Sequence, residues 1–291
     1  MKGKIITKNF KYGYIPGIYM EINSQSCQEQ IIRRVSRVGN GAHIFAPKEW
    51  VNEKVLIVRL EKKSIREKIL QRLYPFLDKI IGVFLYGSQA RGEATENSDV
   101  DVLVIVKEKF KMGKEENFKF IVISEDSLSN AIKINPIMLY SIFKEAKAII
   151  NEEYLNKLKQ IKINPSLFKP FIQTTKDSIK SDEEITELDK KTGETISNSV
   201  IYSLILRLRG IFIINNLLNE ENYSNSLFKK WINSKCKIDY NQVYSIYQAL
   251  RSGKELKDKA PIEFGEILIG LLKEEAKKLE QSINKINKNG K

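Results

Sequence analysis

Two neighbouring residues, Gly87 and Ser88, have the types that suit a phosphate group at the end of a strand. They directly follow the apolar run 80–86 and precede a short polar stretch that reads as a helix. A glycine lets the backbone approach a phosphate closely, and the N–H groups at a helix start can donate to that anion. The Ser88 hydroxyl adds one more donor. We therefore interpret Gly87 and Ser88 as a phosphate-binding turn.

Two carboxylates follow at a spacing that suits a metal ion. Asp99 lies eleven residues after Ser88, and Asp101 follows at the start of the apolar run 102–106. Residues two apart on a strand point to one face, so both carboxylates should face the same way. Magnesium takes such oxygen ligands and keeps phosphate oxygens among them. An ion bound there neutralises charge on a phosphate, and a second ion can activate an attacking hydroxyl.

The elements that must position these residues form an α/β pattern. The segment after Ser64, a suitable N-cap, is predicted to be a helix that Pro75 ends or kinks. Its apolar residues recur at helical spacing and are Ile65, Ile69, Leu73 and Leu77. The runs 80–86, 99–106 and 118–124 predict three strands. Helices and strands in this order indicate a sheet covered by helices.

The stretch 84–104, FLYGSQARGEATENSDVDVLV, carries a specific resemblance. It resembles the signature of nucleotidyltransferases of the DNA polymerase beta superfamily, and the small prokaryotic members most of all. The resemblance covers residues 62–150. It implies that Asp99 and Asp101 are catalytic ligands of Mg²⁺ and that Gly87 and Ser88 hold the nucleotide phosphates. Arg91 either contacts phosphate or is a surface residue paired with Glu93.

The sequence departs from this family at one position. The family has a third carboxylate on the next strand, often assigned as the base for the acceptor hydroxyl. Our alignment places Ile121 there. Glu125 or Asp126 could substitute if the backbone brings either close to the Asp pair. Three explanations are open. The reaction uses two carboxylate metal ligands, the alignment is shifted at this strand, or the domain binds nucleotide without transferring it.

The N-terminal residues are the most basic part of the chain. Residues 1–60 contain ten Lys and Arg and four Asp and Glu, which gives a net charge of +6. The whole chain has a net charge of +13. Residues 36–50 resemble the core of AbrB-type swapped-hairpin modules and related transposon-associated domains. That resemblance implies a β-hairpin that dimerises and in some members binds DNA, and the basic charge favours a polyanionic partner. The alternative is a β-appendage that packs on the next domain. The run 55–60 predicts a further strand.

Beyond residue 150 the pattern is helical. It resembles the helical domains appended to nucleotidyltransferases, such as those of kanamycin nucleotidyltransferase and the HEPN group. HEPN ribonucleases need a histidine here, and His43 is the only histidine of the chain, so that activity is excluded. For Arg207 and Arg209, in an apolar helix, we favour pairing with an acid or snorkelling over a substrate role.

The composition excludes several classes of protein. Cys27 and Cys236 are far apart, which argues against a disulfide framework or a zinc site. The N-terminus lacks a signal-peptide layout. The most apolar stretch, 201–214, is shorter than the roughly 20 residues that span a bilayer. We therefore expect a cytoplasmic protein with no membrane partner.

We thus predict a mixed α+β and α/β chain in three parts. These are a small basic β module at 1–61, a mixed-sheet nucleotidyltransferase domain at 62–150 and a helical bundle at 151–291. The predicted function is Mg²⁺-dependent transfer of a nucleoside monophosphate from a nucleoside triphosphate, with ATP as the expected donor, to an acceptor hydroxyl. The acceptor stays open, and a homodimer is expected from the N-terminal hairpin. The alternatives are a catalytically impaired, antitoxin-like nucleotide- or partner-binding protein and a DNA-binding protein.

Overall fold

The structure, a computed structural model, divides the chain into two compact units, Met1–Lys62 and Lys63–Lys291. It describes residues 13–15, 18–20, 31, 33, 35–55, 57, 64–96, 98–113, 117–253 and 259–289. The three domain ranges predicted above stay predictions, although one unit boundary falls close to the first of them.

The described residues of the first unit include two antiparallel pairs of short strands. Strand β1 (Gly13–Ile15) pairs with β2 (Ile18–Met20), and β3 (Ser36–Val38) pairs with β4 (Gly41–His43). The turn of the second hairpin lies at Gly39, where φ is +53°. The predicted strand at 55–60 is not seen at Val55 or Ile57, and its other residues lie outside the described ones. The predicted β module is therefore present only in part.

The second unit is built on a four-stranded mixed sheet. Its strands are β5 (Ile80–Tyr86), β6 (Val100–Val106), β7 (Phe118–Ser124) and β8 (Lys147–Ile150), in the order β7-β6-β5-β8. Strand β6 is antiparallel to β5 and parallel to β7, and β5 is antiparallel to β8. The three strands predicted in this part are confirmed, and β7 lies at one edge.

Five helices accompany the sheet. They are α1 (Ile65–Leu73), α2 (Gly87–Arg91), α3 (Leu128–Ile134), α4 (Pro136–Glu145) and α5 (Glu152–Lys159). Ser64 caps α1 as predicted, because its hydroxyl accepts from the Glu67 N–H at 3.2 Å while the Glu67 carboxylate accepts from the Ser64 N–H at 2.7 Å. The helix gives way at Tyr74 to a 3₁₀ turn that contains Pro75. The predicted early end is therefore confirmed.

The C-terminal part is a helical bundle, as predicted. Its helices are α6 (Lys169–Thr192), α7 (Asn198–Leu218), α8 (Asn225–Lys235), α9 (Tyr240–Arg251) and α10 (Ile262–Asn289). Two-residue strands β9 (Thr195–Ile196) and β10 (Ala260–Pro261) pair before α7 and α10. Helix α10 packs on α6 and α7, and α7 also packs on α9.

One hydrophobic core runs through both the sheet and the bundle. It includes Phe84 of β5, Leu103 of β6, Leu139 of α4, Leu204 of α7 and Leu272 of α10, all fully buried. A second cluster covers the other face of the sheet and includes Ile69 of α1 and Val102 of β6. The sheet and the bundle thus share apolar packing rather than holding two separate cores.

Helix α7 owes its apolar sequence to this shared core. It has 21 residues and a mean hydropathy of 1.5, so by length and composition it could cross a membrane. However, 61% of its most apolar window is buried inside the protein. The Arg209 guanidinium is satisfied there, because its Nε donates to the Tyr223 hydroxyl at 2.7 Å and Nη1 to the Tyr247 hydroxyl at 3.2 Å. Packing against other helices accounts for its apolar residues.

Candidate functional site

The turn between β5 and α2 places Gly87 directly against a carboxylate. Gly87 has a φ of +73°, in the left-handed region that side chains disfavour. A Cβ built on it would lie 2.6 Å from Oδ2 of Asp101. Strand β6 brings Asp101 there because Asp101 pairs in register with Tyr86, the residue before Gly87. Glycine is therefore required at position 87 both by conformation and by space.

Asp99 and Asp101 lie together at the same end of β6, as predicted. Burial raises the pKa of Asp101, and the charges of Asp99 and Glu145 raise it further. Lys119 and Arg251 act in the opposite direction. Burial, Asp101 and Glu145 also raise the pKa of Tyr86. The Asp101 carboxylate is thus partly desolvated, with Asp99 and Glu145 on one side of the charge balance and Lys119 and Arg251 on the other.

The residue level with Asp101 on the neighbouring strand is Lys119. The parallel register pairs Asp101 with Lys119 and Leu103 with Ile121. The Lys119 ammonium lies 2.5 Å from Oδ2 of Asp99. The sequence alignment put Ile121 in the place of the third carboxylate, but Ile121 lies two residues further along β7. The structure thus puts a cation, and not an apolar side chain, beside the Asp pair.

Glu125 and Asp126 are in the wrong place to substitute for the third carboxylate. They follow the far end of β7, whereas Lys119 lies near its start. Six residues of extended strand span roughly 20 Å. Glu125 acts instead on Tyr154 of α5, where burial first and then Glu125 raise the tyrosine pKa to about 12. The predicted alternative of a carboxylate from this strand end is therefore wrong.

Glu145, at the end of α4, is a carboxylate that the sequence reasoning missed. Its Oε1 accepts from the Gly87 N–H at 2.8 Å, and its Oε2 accepts from Nη1 of Arg91 at 2.7 Å. It is 58 residues from Gly87 in the chain. No local spacing could have revealed it. Glu145 thus holds the turn at Gly87 from outside the motif.

Arg91 is held between two carboxylates. Its Nε donates to Glu93 at 2.9 Å, in addition to the contact with Glu145. Burial lowers the pKa of Arg91, but the charges of Glu145 and Glu93 outweigh burial and the net shift is upward. Glu93 also accepts from the backbone and side-chain N–H groups of Asn225 at the start of α8. The predicted pairing with Glu93 is present, but Arg91 is not the surface residue of that alternative, because its side chain is largely buried. A phosphate contact by Arg91 stays a prediction.

A cavity of about 330 Å³ lies on the other side of Arg91 and Glu145. It is enclosed by α4, the end of α7 and the loop that leads to α8. Its polar lining includes Lys144, Asn216 and Glu221. Burial lowers the pKa of Lys144, and the charges of Glu220 and Glu221 oppose that shift. The cavity offers both signs of charge next to the turn that begins α2.

The two aspartates fit a metal ion that is shared with a ligand. Over the described ranges no group of three or more His, Cys, Asp or Glu could hold a metal alone. Two carboxylates are nevertheless the oxygen donors that Mg²⁺ takes when phosphate oxygens and water complete its shell. Asp101 is partly buried against Gly87, so an ion bound here would sit beside the phosphate-binding turn. These residues therefore suit a nucleotide-bound Mg²⁺ better than a permanent metal site.

Comparison with known proteins agrees with this geometry. A family described as the nucleotidyltransferase domain matches residues 63–187. Two candidate protein adenylyltransferases of Methanocaldococcus jannaschii are similar to the chain. One is 43% identical over 67 residues, which are 23% of this chain and 67% of the relative. The other is 38% identical over 79 residues, 26% of this chain and 53% of the relative, so the chain spans about half of that protein.

Two solved structures show more distant likenesses. Spectinomycin adenyltransferase AAD(9) from Enterococcus faecialis, solved with ATP and spectinomycin, is 17% identical. The likeness covers 72% of this chain and 97% of that one, with a TM-score of 0.41. A nucleotidyltransferase-like protein from Exiguobacterium sibiricum is 14% identical, with coverage of 72% and 75% and a TM-score of 0.34. These likenesses assign no substrate. The AbrB-type resemblance of residues 36–50 finds no support among these proteins.

Proposed function

Because the chain belongs to the nucleotidyltransferase family of the DNA polymerase beta superfamily, we propose that it transfers a nucleoside monophosphate from ATP to an acceptor hydroxyl. The observation that supports this most is the contact between Gly87 and the Asp101 carboxylate, which joins the two halves of the motif in one site. ATP is the proposed donor because two similar proteins are named as candidate adenylyltransferases. The resemblance of the signature points the same way.

Each residue of the site has a proposed role. Asp99 and Asp101 would hold Mg²⁺, and the ion would supply charge neutralisation at the α-phosphate. Ser88 donates from its hydroxyl and its backbone N–H to a phosphate. The Gly87 N–H already donates to Glu145. Glu145 and Arg91 therefore act as positioning residues that hold the turn in shape.

The proposed reaction is a displacement at the α-phosphorus. The acceptor oxygen forms a bond to the α-phosphorus, and the bond from that phosphorus to the bridging oxygen of the β-phosphate breaks. The bonding electrons leave with pyrophosphate, and the acceptor proton goes to solvent or to a nearby base. The cavity behind Arg91 and Glu145 is the place where we propose that part of the acceptor binds, because it adjoins the turn. A small molecule, a tRNA end and a protein hydroxyl all stay candidates.

The test is calorimetric titration of ATP with and without Mg²⁺. Wild type should bind ATP in a Mg²⁺-dependent way, and the double variant Asp99→Ala/Asp101→Ala should lose that binding. Asp126→Ala is the matched control, since Asp126 is an exposed acid at the far end of β7. Incubation with α-labelled ATP and candidate acceptors then reports transfer. Unchanged ATP binding by the double variant would refute the assignment of the site.

A second function is favoured by one observation. Lys119, a cation, lies beside the Asp pair, and the alignment finds no third carboxylate on this strand. A protein that binds ATP without transferring its nucleotide, as an antitoxin-like partner does, would need only the donors and the aspartates. Mg²⁺-dependent ATP binding without release of pyrophosphate, under any acceptor tried, would support this alternative.

A further inference from the structure

The position of Lys119 is determined by strand pairing in the sheet. It lies on β7 in parallel register with Asp101 of β6. Residues paired in this way point to the same face of a sheet, so the lysine stem and the Asp101 carboxylate stand side by side. From there the ammonium reaches Oδ2 of Asp99 at 2.5 Å. The cation thus belongs to the same face as both carboxylates.

The ion pair contributes little to folding. The Lys119 side chain is 63% exposed and that of Asp99 is 39% exposed. Exposed pairs of this kind are worth about 0–1 kcal/mol. The position also differs from that of a structural cation, because Gly87 and its turn lie against the other carboxylate of the pair. A role in ligand binding explains the placement better than a role in stability.

The charge of the site gives that role a specific form. Sites that bind two divalent ions use both ions to stabilise the attacking and the leaving oxygens of a phosphoryl group. Three carboxylates with two divalent ions carry a single net positive charge. Two carboxylates with one divalent ion and one ammonium carry the same net charge. A lysine beside two acids therefore presents the triphosphate with the same net charge as a site of three acids, with one divalent ion fewer.

Resting on the proposed function, we infer that the Lys119 ammonium replaces the second divalent ion of the site. The nucleotide then binds with one Mg²⁺, held by Asp99 and Asp101, and the ammonium bridges Asp99 and a phosphate oxygen. Lysine suits this task because it is a compact cation on a flexible stem with several donors. Lys119 thus takes part in nucleotide binding from the strand that neighbours the Asp pair.

The experiment counts the ions directly. Mn²⁺ is titrated into the full-length protein with a non-hydrolysable ATP analogue, and bound Mn²⁺ is measured by electron paramagnetic resonance. Wild type should bind one Mn²⁺ per analogue. Lys119→Asp, which places a third acid beside Asp99 and Asp101, should bind two. Lys119→Met should still bind one Mn²⁺. Its affinity for the analogue should fall about tenfold, which corresponds to about 1.4 kcal/mol of binding free energy.

Matched variants keep the outcomes separate. Lys119→Arg should largely retain analogue affinity, and Lys107→Met, an exposed lysine just beyond the other end of β6, should leave it unchanged. Two Mn²⁺ in wild type, or full analogue affinity in Lys119→Met, would overturn this inference alone. Failure of wild type to bind the analogue at all would overturn the proposed function together with it. Thermal melting checks the fold of each variant, and Lys119→Met decides the matter if Lys119→Asp does not fold.

Discussion

Asp101 holds its carboxylate where a negative charge is disfavoured. Burial raises its pKa, and Asp99 and Glu145 add to that shift despite the opposing charges of Lys119 and Arg251. The folded protein therefore binds the Asp101 proton more tightly than the unfolded chain does. Above the raised pKa, the ionised carboxylate destabilises the folded state. Binding of a cation beside Asp101 would offset this destabilisation of the folded state. The proposed metal ion would therefore also stabilise the folded protein.

We predict that Asp101→Asn raises the melting temperature in metal-free buffer at neutral pH. A rise of roughly 2–4 °C corresponds to about 1 kcal/mol in a domain of this size. The difference from wild type should shrink as the pH falls from the raised pKa of Asp101 toward its ordinary value, because wild type then becomes protonated in the folded state. Calorimetric scans across pH measure this, with Asp126→Asn as the control. Equal melting temperatures at neutral pH would show that the charge is not destabilising.

We predict that Gly87→Ala is more damaging than Gly92→Ala. Both glycines have a left-handed φ, +73° and +75°, so both substitutions introduce backbone strain of about 1–2 kcal/mol. Only Gly87 faces Asp101, whereas nothing lies within 4 Å of a Cβ at Gly92. Gly87→Ala should therefore lose at least tenfold more ATP affinity and add a further loss of stability. Equal losses of ATP affinity and of unfolding free energy in the two variants would show that the close approach of Gly87 to Asp101 has no effect.

The motif residues could be predicted because they are local in sequence. Gly87, Ser88 and the two aspartates are set by one strand–turn–helix and the next strand, so their spacing is informative. Lys119 and Glu145 could not be found in this way, because their places depend on the register of β7 and on where α4 ends. The position of Lys119 is decided by the segment between β6 and β7, whose length the family signature does not fix.

At the scale of elements, Arg91 and Glu145 form the link between α2 and α4. Their side chains are only 13% and 14% exposed, so each charge depends on its partner. We predict that Glu145→Ala destabilises the protein by about 2 kcal/mol, because Arg91 keeps only Glu93 as a partner and the Gly87 N–H loses its acceptor. Urea unfolding measures the change. Glu145→Gln should lose less, since its side-chain oxygen can still accept from the Gly87 N–H.

A double-mutant cycle tests whether this link is direct. Arg91→Met alone should also destabilise the protein, but the double variant Arg91→Met/Glu145→Ala should lose less than the two single losses together. Additive losses would mean that the two side chains act independently. The cycle would then leave Glu93 as the main partner of Arg91.

Elements with a strong periodic pattern and a cap were predictable, whereas elements that need a distant partner were not. Helix α1 follows its apolar spacing and its capping box, and β5 and β6 follow their apolar runs. The β-branched run at 55–60 predicted a strand, yet Val55 and Ile57 are exposed and outside any strand. Propensity for a strand describes a fit to a half-buried sheet, so it misleads where no such surface receives the segment.

At the scale of the whole molecule, the densest positive charge and the proposed nucleotide site lie in different units. Residues 1–60 carry a net charge of +6, and the proposed nucleotide site lies in the unit that begins at Lys63. We predict that the full-length protein binds duplex DNA weakly and that affinity falls steeply with salt, as counterion release requires. A chain of residues 63–291 should bind DNA more weakly, because it lacks the segment of highest charge density, and should keep Mg²⁺-dependent ATP binding. Anisotropy of labelled DNA at several salt concentrations measures it, and salt-independent binding would contradict an electrostatic role.

The shared core has a consequence for how this protein could change its substrate. Phe84 and Leu103 beneath the proposed site belong to the same buried cluster as Leu204 and Leu272 of the bundle. The bundle is therefore not a detachable cassette that could be exchanged for another to give a new acceptor preference. A graft would have to carry the underside of the sheet with it. A new acceptor preference is more readily reached by substitutions in the cavity beside α4, where we propose that the acceptor binds. Side chains there can vary without disturbing the core that the sheet and the bundle share.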